Sequence, residues 1–122
     1  MKTSKDPRHI ERVKVMQELF SWDFSKKNNH EHSKTEDIIS EIKNIDKLIN
    51  EAAPMWPINK INKIDLAILR QAVFELMIEK EIPPKVVVDE AVELAKEYGS
   101  ESSKGFINGA LGKLTSSYNL LS

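Results

Sequence analysis

Charged and amide residues recur inside helix-period apolar segments in the second half of this sequence, at Asp65, Arg70, Glu75, Glu90 and Asn108. A helix that only has to bury one stripe needs few such groups, so these positions serve something more specific than packing. A second set lies at the front. Lys5, Arg8, Arg12 and Lys14 alternate with Asp6 and Glu11, and Phe20 and Trp22 follow. Cations projecting from a helix next to aromatic rings are the parts needed to hold a single-stranded RNA backbone and stack its bases. The competing description makes Phe20 a core residue and the cations ordinary surface charge.

Other chemistries find little material. The imidazoles are His9, His30 and His32, and the last two sit in a polar connection, where alternate histidines around Glu31 read as solvated side chains rather than metal ligands. Asp89 and Glu93, one helical turn apart and next to Glu90, read as a solvated face rather than a catalytic carboxylate pair. There is no Gly-rich phosphate loop, no zinc-type helix motif and no nucleophile-base pair, so catalysis is not expected, and neither is a cofactor or a metal. The absence of cysteine removes disulfides, thiolate nucleophiles and Cys-based metal sites.

The sequence of 122 residues is one domain's worth, 40% hydrophobic and 30% charged, with a formal net charge of −1. That balance suits a soluble globular protein and gives no overall pull toward nucleic acid, so an RNA role has to rest on local asymmetry. Such asymmetry exists. Residues 1–14 hold a local +3, and residues 35–53 a local −3. No apolar run reaches the roughly 20 residues that cross a bilayer, and the N-terminus lacks the apolar core of a secretory signal, which points to a cytoplasmic protein without a membrane partner.

The positioning elements are helices. Asp6-Pro7 opens a helix over 7–24, with Ile10, Val13, Met16, Phe20 and Phe24 as its apolar stripe. Residues 25–34 are an exposed connection without apolar side chains. Thr35, followed by Glu36 and Asp37, is the expected N-cap of a second helix that carries Ile38, Ile42, Ile45 and Ile49 to about Ala53. The segment 54–62, with prolines three apart, reads as a turn. A helix from about Ile64 or Asp65 to Lys80 buries Leu69, Ala72, Val73 and Leu76, and Pro83-Pro84 stops it and starts the next, which Gly99 closes. The valines at 86–88 lack any strand partner and stay helical. A final helix opens near Ser102 and Ser103, with Gly105 and Gly109 forming a small-residue groove that permits close approach by a neighbour. The expected class is all-α, a compact bundle of about five to six helices.

The stretches ELFSWDFS, IDLAILRQAVFEL, IPPKVVVDEAVELAKEYG and GFINGALGKL, in this order and spacing, resemble the NusB transcription antitermination family. The resemblance implies one NusB-like domain of two packed helical subdomains, 1–53 and 54–122. It also implies a non-catalytic role in binding boxA-type single-stranded RNA of ribosomal RNA leaders together with the ribosomal protein NusE, in the transcription elongation complex. By the same resemblance Arg8, His9 and Arg12, with Lys5, are the phosphate clamps. Phe20 stands where the family often has Tyr and keeps a stacking role. Asp65 matches an acidic position, and Ser102 to Phe106, including Lys104, match a loop and helix start near RNA and partner. Ser102, Phe106, Asn108 and Gly112 are the expected partner contacts. Arg70 and Glu75 are expected in a semi-buried polar network joined by Glu90 and Asn108, whose members must satisfy one another.

The sequence also departs from that pattern. One helix of the first subdomain is expected to be absent, Ile10 and Glu11 interrupt the arginine cluster, and Ser102 and Gly112 replace acidic positions. A lapsed RNA role, leaving a protein-interaction or oligomerisation module that is a monomer or weak homodimer, is the alternative. An RNA-binding appendage of an rRNA methyltransferase ranks below it.

Overall fold

The structure, a computed structural model, describes residues 6–27 and 30–121. It contains α1 (Pro7–Ser25), α2 (Ser33–Ser40), α3 (Ile42–Ala52), α4 (Lys63–Phe74), α5 (Pro84–Tyr98) and α6 (Ser103–Ser117). A 3-10 turn covers Ile58–Lys60, and a wider π turn, Glu75–Glu79, continues α4. Among the described residues there is no strand, and the valines at 86–88 lie within α5.

The helix α1 starts as its sequence dictates, with the Asp6 carboxylate accepting the Arg8 N–H at 2.9 Å and Pro7 at the first helical position. Its buried face is rotated from the predicted stripe. Met16 is buried and Val13 and Phe20 are half-buried against the core, but Ile10 is 40% and Phe24 64% exposed, whereas His9, Arg12, Val15 and Leu19 are buried. The helix is turned so that a histidine and an arginine enter the interior, because the carboxylates that pair with them lie there.

Residues 33–52 form two helices where the periodicity predicts one. The backbone leaves helical geometry at Glu41 (φ −107°, ψ 15°), and the change of direction lets Ile38 on α2 and Ile45 and Ile49 on α3 all reach the core. Residues 7–52 thus hold three helices where the sequence pattern predicts two. Thr35 is not an N-cap either: α2 begins at Ser33, and the buried Thr35 hydroxyl donates to Glu18 Oε1 at 2.6 Å.

The central element is α4. Every residue from Asp65 to Phe74 is buried, and the helix packs on α1, α3, α5 and α6. A helix enclosed on all sides needs apolar residues all round, which LAILRQAVF supplies except at Arg70 and Gln71. Each fully buried Leu or Ile contributes roughly 1.5–3 kcal/mol. The Asn62 side chain caps α4 by accepting the N–H groups of Ile64 (2.9 Å) and Asp65 (3.3 Å). At the tight turn from α5 into α6 only glycine fits, since a Cβ on Gly99 would lie 2.5 Å from Ser103 Cβ and 2.8 Å from the Ala95 carbonyl oxygen. Gly105 and Gly109 behave differently. A Cβ on either would meet nothing within 4 Å, so no helix of this chain closes on their groove and it faces solvent.

Glu18 fastens the α1–α2 connection. It accepts the backbone N–H groups of Glu31 (2.9 Å) and His32 (3.3 Å) and the Thr35 hydroxyl, and it pairs with His32 Nδ1 at 3.1 Å. Burial works to raise the pKa of this carboxyl, but the hydrogen bonds, led by Thr35, together outweigh it and bring it to about 2. Asp23 also falls to about 2, because hydrogen bonds from Lys63 and Lys26 and the charge of Arg70 overcome the effect of burial. Depressed folded-state values stabilise the fold above the unfolded-state pKa, and that stability is lost as pH drops through the folded value. The melting temperature should therefore fall between about pH 5 and pH 2, and fall less in Glu18→Gln. Identical acid profiles for the two proteins would remove Glu18 as an acid-sensitive anchor.

Candidate nucleic-acid interface

At the front of α1 the basic residues divide by burial. Arg8 is exposed and only loosely paired, with Nε 3.6 Å from Asp6 Oδ1. Arg12 is 7% exposed and grips Glu75 with two nitrogens, Nη2 to Oε1 at 2.8 Å and Nε to Oε2 at 3.3 Å, while its Nη1 lies 3.6 Å from Glu90 Oε1. His9 is 4% exposed, with Nε2 2.8 Å from Glu97 and Nδ1 3.6 Å from Glu90. Lys34 of α2 completes the set, its Nζ 3.3 Å from both Glu75 and Glu79. Burial alone would lower the pKa of Arg12, but the hydrogen bond and charge of Glu75, with Glu90 adding, raise it above its ordinary value.

Two site expectations are corrected here. Arg12 and His9 are not phosphate clamps, because a guanidinium and an imidazole this buried, turned inward toward Glu75, Glu90 and Glu97, have no face left for a phosphate. Arg8 remains available. Lys5 lies outside the described residues.

The residues expected in one polar network fall into two separate clusters. Glu75 and Glu90 belong with Arg12, whereas Arg70 forms a separate cluster at the other end of α1. Its Nε and Nη2 each lie 2.9 Å from an Asp46 oxygen, and Nη1 is 3.3 Å from Asp23, which also holds Lys63 at 2.9 Å. The pKa of Arg70 is raised, since Asp46 and Asp23 outweigh the opposing effect of burial. Asn108 is exposed and joins neither cluster. The Trp22 ring is covered by Lys26 (4.2 Å to its centroid) and approached by Arg70 (5.8 Å), so cations of this chain already occupy it. Phe20 is half-buried against the core and meets Phe24 edge-on at 4.9 Å. His30 and His32 turn to different carboxylates, Glu36 and Glu18.

Three of the other predicted residues, Asp65, Ser102 and Phe106, converge on a cleft where the start of α4 meets the α5–α6 turn. Trp56, Lys60, Asn62, Asp65, Ser102 and Phe106 line it. Trp56 and Phe106 stand at 74° with centroids 6.0 Å apart. Asp65 lies between them in sequence and is 6% exposed, and its Oδ1 has no hydrogen-bond partner. Burial raises its pKa, with the Ser103 hydroxyl acting against the shift. Ser102 is exposed, its hydroxyl 3.3 Å from that of Ser100, and Lys104 is exposed at the second position of α6. Because His9 reaches Glu97, three residues before Ser100, the front of α1 and this turn are neighbours. Gly112 and Asn108 are exposed further along α6. Sequence reasoning missed Trp56 and Lys60. A tryptophan between two prolines in a turn, where no helix stripe claims it, was the available signal.

The fold is that of a small all-helical domain. The sequence model of the NusB family matches residues 25–116, and the chain belongs to that family. The transcription antitermination protein NusB of Roseiflexus castenholzii is 51% identical over 76 residues, 61% of this chain and 54% of the relative. That of Alkaliphilus oremlandii is 41% identical over 90 residues, 74% of this chain and 65% of the relative. The chain thus spans between about half and two thirds of the curated relatives it matches. A solved T. maritima NusB superposes with a TM-score of 0.77 at 32% identity, covering 95% of this chain and 93% of that one. A solved complex of antitermination factors NusB and NusE with dsRNA contains a chain of the same fold, with a TM-score of 0.78 at 22% identity.

The burial pattern predicts a contrast in stability. Arg12→Ala leaves Glu75 and Glu90 buried without their main cation and should lower the unfolding free energy by about 3 kcal/mol. Arg8→Ala should change it by less than about 0.5 kcal/mol. Urea denaturation of both variants checks this, and equal small losses would show that Arg12 is not an internal residue.

Proposed function

We propose that this chain is a non-catalytic, RNA-binding transcription antitermination factor. It holds boxA-type RNA of ribosomal RNA leaders together with the ribosomal protein NusE, within the transcription elongation complex. Family membership, the names of the relatives and the solved NusB–NusE–dsRNA complex support this reading. The observation that carries it is the cleft, where an aromatic pair, an unpaired buried acceptor and exposed cations meet on one surface. On this reading the strand runs from Arg8 past the last turn of α5 to Ser102 and Lys104 and ends in the cleft. Subdomains 1–53 and 54–122 dock through α4, and Arg12 and His9 hold α1 in place from beneath. NusE meets Phe106, Asn108 and Gly112 along α6.

A second reading has its own observation. Gly105, Gly109 and Gly112 share an open helix face next to Met55, which is 85% exposed, and such a surface suits a protein-docking module without RNA.

A gel shift with boxA-type RNA, with and without NusE at two salt concentrations, separates the two. RNA should bind, bind more tightly with NusE and weaken as salt rises. In Arg8→Ala/Lys104→Ala the slope of log K against log salt should shrink by about 0.7 per lost phosphate contact, with helical content unchanged. NusE binding without any RNA shift would replace the first reading with the second.

A further inference from the structure

The Asp65 carboxyl carries an inference that rests on the RNA-binding reading and deepens it. Its Oδ1 is a hydrogen-bond acceptor withdrawn from water and left without a protein partner at the base of the cleft. Buried acceptors of this kind cost free energy unless a ligand or water completes them. The N–H groups at the start of α4 are already served by Asn62, so the helix terminus itself is not the attraction. The walls are Trp56, 52% exposed, and Phe106, nearly perpendicular to it. Such walls offer one ring face and one ring edge to a flat guest. The cleft measures about 340 Å³, near the lower end of the range for small-ligand sites of roughly 300–1,000 Å³. Lys60 stands at its mouth.

We propose that this cleft receives one unpaired nucleobase of the bound RNA, stacked against Trp56 and Phe106 and donating an N–H to Asp65 Oδ1, with its phosphate near Lys60. A nucleobase uses all three features together: a flat π-face for the aromatic walls, a ring or exocyclic N–H for the acceptor, and an adjacent anion for the lysine. A lysine or arginine from a partner protein would use the acceptor and one ring face. It would be repelled by Lys60, and it would call for a fully ionised carboxylate where burial favours the neutral form. A water molecule could satisfy Oδ1 but would leave the rings unused.

An abasic scan of boxA-type single-stranded RNA tests the assignment. Each nucleotide in turn is replaced by an abasic one, and binding is measured with the full chain, Trp56→Ala and Asp65→Asn, each shown folded by circular dichroism. The wild-type chain should lose affinity on the order of 10-fold at one position, the scale of a single base–aromatic stack. Trp56→Ala should bind the intact RNA more weakly and lose the penalty at that same position. Asp65→Asn should change which base is preferred there while binding the abasic RNA as the wild type does. RNA binding with no position-specific loss, or with losses that simply add to those of the variants, would overturn the nucleobase pocket and leave the RNA-binding reading standing. Weaker NusE binding by Asp65→Asn with unchanged base discrimination would overturn it in favour of a protein contact. No RNA binding by any variant at low salt would overturn both readings together.

Discussion

A guanidinium taken out of water has to be matched by carboxylates at hydrogen-bonding distance, and the placement of α1 follows from that requirement. Arg12 meets Glu75 at 2.8 Å and Glu90 at 3.6 Å, and Lys34 shares Glu75 from the other side. Through these contacts a buried charge cluster ties α1, α2, the end of α4 and α5 to one another. The geometry is directional where apolar packing is not. A rotation of α1 that buried Ile10 and Phe24 instead would strand Glu75, which is 1% exposed, without its partner. Leaving a buried charge unpaired costs several kcal/mol, more than exposing one aliphatic and one aromatic side chain for part of their area.

What is fixed below sets what is offered above. With Arg12 and His9 turned inward, Arg8 stays on the surface, and the His9–Glu97 contact holds the front of α1 against the last turn of α5. That turn leads through Gly99, where Ser103 approaches too closely for any side chain, into the wall of the Trp56–Phe106 cleft. At the other end of α1, Arg70 with Asp46 and Asp23 fixes α3 and α4 in the same way. Two internal charge clusters thus act as dowels at the two ends of one helix.

Much of this was legible in the residues. Asp6-Pro7, Pro83-Pro84 and Gly99 mark helix ends by backbone chemistry that context cannot override, and those boundaries hold to within a residue or two. The all-α class and the burial of Leu69, Ala72, Val73 and Leu76 follow from period alone. The break at Glu41 was not legible, because no Gly or Pro marks it and the isoleucines on both sides keep helical spacing. The face of α1 was misjudged for a related reason. Apolar periodicity locates a stripe by assuming that charge stays outside, and His9 and Arg12 violate that assumption only because acids contributed by helices far along the chain meet them. Within the site, the resemblance singles out Asp65, Ser102 and Phe106 one by one, and the fold brings them to one cleft, whereas Trp56 lies in a turn that no periodicity could assign.

Replacing both members of the central pair with neutral amides tests most directly whether Arg12 organises the interface or touches the ligand. In Arg12→Gln/Glu75→Gln the paired charges are removed together, and circular dichroism checks that the helices are retained. Internal charges predict an affinity for boxA-type RNA and a salt slope that match the wild type. A slope smaller by about 0.7, the signature of one lost phosphate contact on a single strand, would place Arg12 on the RNA and contradict the account.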